Sequence, residues 1–159
     1  MTFLSALLGA FFAHFVAKYV DARFLAANQK EAQIDSYVEE ICTATDRVRE
    51  LSFEYFSCSG QDLGKREFVV AAEITGTMHY VNLLVTDLFL HPSAKSHNQA
   101  FKNSRDEIRS LMQLTANEDG ASSERESQPA RLSSIAKEAF ALKKGIRSRR
   151  HSMKRALFL

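Results

Sequence analysis

Residues 2–17, TFLSALLGAFFAHFVA, carry no formally charged side chain, and few folds accept such a run at a chain's edge. A helix crosses a bilayer core of about 30 Å with about 20 apolar residues, and about 17 is the lower bound. Continuing through Lys18, Tyr19 and Val20 reaches that bound. Lys18 can lay its stem in hydrocarbon and lift its ammonium to the headgroups, and Tyr19 suits the same interfacial layer. A cleaved signal peptide fits less well. It needs basic residues before the apolar run and small residues at −3 and −1. Nothing basic precedes the run, and Phe15 and Leu25 stand at −3 from Ala17 and Ala27. A helix lying in the interface wants a charged polar face, which this stretch lacks. A buried core helix rich in phenylalanine is the remaining alternative. The sequence therefore predicts a single-pass membrane protein.

Lys18, Arg23 and Lys30 follow the apolar run and nothing basic precedes it. The positive-inside rule places the N-terminus outside and the remainder in the cytoplasm, across a cell inner membrane. The two cysteines, Cys42 and Cys58, match no metal or redox spacing. Free thiols agree with a reducing compartment.

Within the run, Ser5, Gly9, Ala13 and Ala17 recur every four residues and share one helix face. Leu4, Leu8, Phe11, Phe12, Phe15 and Tyr19 occupy the other. Small residues at this spacing let two helix backbones approach closely in lipid, so the face predicts a homo-oligomer. His14 borders it. A polar ring in hydrocarbon is costly and reads either as functional or, preferably, as a neutral group bonded to a neighbouring helix.

From Ile34 a heptad seam follows. Ile34, Ile41, Val48 and Tyr55 hold one position, and Tyr37, Ala44, Leu51 and Cys58 the other. No Pro or Gly interrupts the chain between Gly9 and Ser57, so one helix is expected from the bilayer to about Ser57. The segment SCSGQDLG breaks it, with Gly60 and Gly64 as stops and Asp62 as a cap for the next helix. A second helix is expected over residues 65–90, with Phe68, Ala71, Ile74, Met78, Val81, Val85 and Leu88 as its core stripe and Tyr80 and Leu84 widening it. Its apolar character raises a second crossing, which Glu73, His79, Asn82 and Asp87 oppose. A third helix fits residues 96–116, through Phe101, Ile108, Leu111 and Leu114. The polar stretch NEDGASSERESQP reads as a mobile loop. The last helix places Leu132, Ile135, Ala139, Leu142, Ile146 and Met153 in line. The expected fold is all-α, an N-terminal transmembrane helix continuing into a cytoplasmic bundle of about four helices. The organisation is 1–27 membrane and juxtamembrane segment, 28–116 bundle core, 117–130 loop, and 131–159 basic amphipathic helix.

Chemistry-bearing motifs are scarce. Gly60 and Gly64 lack the Lys-Ser/Thr of a phosphate loop. His91 and His97 flank Pro92 without an evident zinc partner, and His79 and Glu73 are six apart. No enzyme, cofactor or metal is expected. The clearest chemical feature is the basic tail: Lys143, Lys144, Arg147, Arg149, Arg150, Lys154 and Arg155, with no acid after Glu138. The preceding 142 residues hold 14 basic and 19 acidic side chains. Such a tail fits contact with an anionic membrane, phosphate-directed nucleic-acid binding, or a solvated helix end whose cations complement the helix dipole. No aromatic is interleaved with the cations, which disfavours base reading.

The stretch SYVEEICTATDRVRELSFEYFS, directly after a short N-terminal membrane helix, resembles small uncharacterised bacterial single-pass membrane proteins that accompany phage-defence genes. AAEITGTMHYVNLLVTDLF resembles their second helix, and the similarity spans residues 4–90. It implies a membrane effector or accessory component acting in antiviral defence. The leading expectation is a non-enzymatic, membrane-anchored helical effector that self-associates and disrupts membranes. The alternative is a membrane-tethered adaptor whose bundle recruits a cytoplasmic protein.

Overall fold

A computed structural model describes the backbone of residues 2–90, 98–116 and 125–157, and the side-chain surroundings of residues 14–89, 102–116 and 125–151. Among the described residues the chain is all-helical: α1 Thr2–Ser57, α2 Gly60–Leu63, α3 Arg66–Leu90, α4 Asn98–Thr115 and α5 Pro129–Leu157. It divides into two compact units, Met1–Asp35 and Ser36–Leu159.

The first unit is the N-terminal part of α1. Every side chain from 14 to 30 is exposed. These include Phe15 at 70%, Phe24 at 67%, Val16, Tyr19, Val20 and Leu25. Arg23 lies over the Tyr19 ring, 5.1 Å from its centroid.

The second unit has a conventional apolar core. On α1 the residues Val38, Ile41, Val48, Leu51, Tyr55 and Phe56 are buried. On α3 the buried line is Val70, Ile74, Met78, Val81, Val85 and Leu88, steps of three and four that keep one stripe inward. Ile108 and Leu111 of α4 and Ile135, Ala139, Leu142 and Ile146 of α5 complete it. Ion pairs fix which helices are neighbours. Arg47 meets Glu73 at 3.1 Å and Arg66 meets Glu54 at 2.7 Å, so α1 and α3 run antiparallel. Tyr80 donates to Glu40 on the same seam. Lys143 pairs with Asp46, joining α5 to α1. The Arg149 guanidinium grips Glu107 through two bonds of 3.0 Å, joining α5 to α4. α4 also packs on α3.

Several helix positions differ from the sequence expectation. The break after Ser57 contains a short helix of its own. Ser59 accepts from the Asp62 N–H at 3.1 Å, and the Asp62 carboxylate accepts from the Ser59 N–H at 3.1 Å. Asp62 thus completes the capping box of α2 and does not cap α3. Gly60 opens α2 and does not stop α1; Gly64 closes α2 at φ +54°, a conformation that favours glycine. The bonds from Ser59 hold the Asp62 carboxyl below its ordinary range. This cap therefore contributes above the usual carboxylate range and fades as pH falls through the lowered value. On α3, Phe68 is 65% exposed and Tyr80 is also exposed, while Glu67 and Val70 are buried. From Ile74 to Leu88 the expected stripe is the buried one, with Leu84 beside it; only the first turn departs from it, because α3 is apolar on both sides there. Leu114 and Leu132 are half-buried; Phe101 and Met153 lie outside the described side chains. α5 opens at Pro129, whose missing N–H costs nothing in a first helical turn.

Candidate functional site

The stretch expected to be a loose loop instead supplies a buried cluster through residues 125–128. Arg125 donates from Nε to Glu67 Oε1 at 2.7 Å, and both side chains are 2% exposed. The guanidinium carbon lies 4.0 Å from the Tyr55 ring centroid. The Tyr55 hydroxyl faces the same Glu67 oxygen at 3.5 Å. Two backbone bonds dock the strap: Gly60 N–H to the Arg125 carbonyl and Gln128 N–H to the Phe56 carbonyl, each at 2.8 Å. Arg131 lies over the Phe56 ring at 5.0 Å and donates to the Ala116 carbonyl at 3.3 Å. Burial pushes the Tyr55 phenol above its usual range; Arg125 opposes that shift and Glu67 adds to it. Nη2 of Arg125 is buried with no hydrogen-bond partner among the described residues.

The positions singled out by sequence fall into three groups. Of the heptad positions, Ile34, Ile41, Ala44, Val48, Leu51 and Tyr55 are buried, while Tyr37 and Cys58 are half-buried. In the second unit this line is occupied by the chain's own core, so it offers no free seam to a second copy. Ala17 and His14 are exposed; the side chains of Ser5, Gly9 and Ala13 lie outside the described residues. The basic tail is only partly a surface. Lys143 and Arg149 are committed to Asp46 and to Glu107 and Ser104. Lys144 and Arg147 are exposed and Arg150 is half-buried. The Lys154 and Arg155 side chains lie outside the described residues.

An apolar groove of about 370 Å³ lies between α1 and α5, lined by Arg49, Glu50, Phe53, Leu132, Ile135 and Ala136. Phe53 and Phe140, on the two helices, are 62% and 67% exposed. Among the described residues no cluster of His, Cys, Asp and Glu could hold a metal ion. One segment among them, Arg66–Phe89 in α3, is long and apolar enough to cross a membrane, with a mean hydropathy of 1.3. By the same measure 33% of that window is buried inside the chain.

No family model, curated protein or solved structure matches the chain.

The two thiols differ in a way that labelling can read. Cys42 is buried and Cys58 is half-exposed. Burial raises the Cys42 thiol above its usual range, against the pull of Arg147 and Lys143. The thiolate is the reactive species. In the native protein near neutral pH, a water-soluble maleimide is therefore expected to modify one cysteine quickly, and peptide mapping should find it at Cys58. Equal modification of Cys42 in the folded state would contradict this.

Proposed function

We propose that the protein is a non-enzymatic, membrane-anchored helical effector. It spans a cell inner membrane once through the start of α1, with its N-terminus outside and a cytoplasmic four-helix bundle formed by α1, α3, α4 and α5. One observation carries this reading. From residue 14 to residue 30 no side chain of α1 is covered by the chain, yet Phe15, Val16, Tyr19, Val20, Phe24 and Leu25 lie there. Contiguous exposed apolar surface on this scale marks a membrane or partner contact. It continues directly from the uncharged residues 2–17. Self-association follows from the small face of Ser5, Gly9, Ala13 and Ala17. Defence against phage by membrane disruption is the physiological role we assign.

The exposed Phe53 and Phe140 beside the α1–α5 groove favour a second reading, a tethered adaptor that recruits a cytoplasmic protein. Induced expression in a bacterial host separates the two. The effector is expected to remain in the membrane pellet through carbonate extraction and to collapse the membrane potential. Pelleting with an undisturbed potential would favour the adaptor. Recovery in the supernatant would remove the anchor on which both readings depend.

A further inference from the structure

We infer that Lys18 and Asp21 form reciprocal ion pairs between two copies of α1, setting the register of a parallel dimer at the membrane boundary; this rests on the membrane-anchored reading above. Asp21 is the next residue in the four-residue series Ser5, Gly9, Ala13, Ala17. Lys18, three residues before it, shares its face. Both are exposed, and neither makes an ion pair among the described residues. They do not neutralise each other along the helix. A base placed before an acid is the weaker order for a helical pair; Arg47 and Glu50 take that order at 3.9 Å further along α1, whereas Lys18 and Asp21 make no such bridge. Arg23, on the other side, is occupied by the Tyr19 ring.

Two opposite charges, Lys18 and Asp21, lie on one strip of an uncovered helix. The strip is its own complement. Insertion from one side of a bilayer makes two copies parallel, and a two-fold axis then brings each Lys18 to the other copy's Asp21. Phe15, Val16, Val20 and Phe24 remain outward, toward lipid. The pair lies where Lys18 reaches the headgroups, so it is partly desolvated and strengthened relative to open water.

The test is energy transfer between full-length copies labelled at Cys58 with donor or acceptor and reconstituted together in phosphatidylcholine vesicles. Flotation reports insertion separately. Lys18→Glu replaces two attractive pairs by two repulsive ones, as does Asp21→Lys. Each is expected to weaken association about tenfold. Mixing Lys18→Glu copies with Asp21→Lys copies makes both contacts attractive again, and transfer is expected to return. An effect confined to each helix could not be rescued in this way. Transfer that survives both single reversals, or fails to return on mixing, overturns the pairing while leaving the anchor intact. A parent protein that does not float with vesicles overturns the anchor and the pairing together.

Discussion

Replacing Arg125 with alanine is expected to lower stability by about 3–5 kcal/mol, because it strands the Glu67 carboxylate without its cation. Both side chains are 2% exposed, so water cannot substitute for the missing guanidinium. The stacking on Tyr55 goes with it, and the strap from residue 125 to Gln128 loses its side-chain anchor. The matched double change, Arg125→Met with Glu67→Leu, removes both charges and keeps apolar volume. It is expected to be near neutral, since desolvating a pair costs much of what the pair returns. Urea unfolding of the full chain in detergent micelles reads both outcomes as a displaced midpoint at unchanged slope. A loss under about 1 kcal/mol for Arg125→Ala, the range of surface pairs, would show that the pair is not buried in solution.

That cluster also marks where the sequence stopped being legible. The uninterrupted stretch to Ser57 and the breaks near Pro92 and Pro129 placed the long helices within a residue or two. Caps, prolines and helical periodicity are local quantities. Arg125 gave no such signal. It lies in a polar stretch with no period, and its partner is distant in sequence. A composition reading assigns a stretch like that to solvent. Glu67 was hidden differently, as one acid beside Phe68 near the start of an apolar helix. In the first turn of α3 the acid is buried and the phenylalanine is exposed. Periodicity found the stripe from Ile74 to Leu88 but not this first turn, because α3 offers apolar residues on both faces. The basic tail shows the converse. Its charge run is plain in the sequence, but the pairing of Lys143 with Asp46 and of Arg149 with Glu107 exists only across helices.

The burial pattern of α3 bears on whether this helix crosses a membrane. Arg66–Phe89 passes by length and hydropathy. Its inward side nevertheless carries Glu67 bound to Arg125, and its rim carries Glu73 bound to Arg47 and Tyr80 bound to Glu40. Moving α3 into hydrocarbon would break these bonds and carry Glu73 and Asp87 with it, each at a cost of several kcal/mol. The exposed Phe68, Val69 and Leu83 return too little to offset that. Gly76 lies near the middle of the window, is exposed, and has nothing within 4 Å of where a Cβ would stand. A cysteine therefore fits there without disturbing the core. In sealed inside-out membranes, Gly76→Cys in the full chain is expected to react with a membrane-impermeant maleimide at a rate comparable to Cys58. A transmembrane α3 would hold that thiol in hydrocarbon, away from water and in its unreactive protonated form. Protection of Gly76→Cys while Cys58 is fully modified would make α3 a membrane span and overturn the proposed single-pass topology.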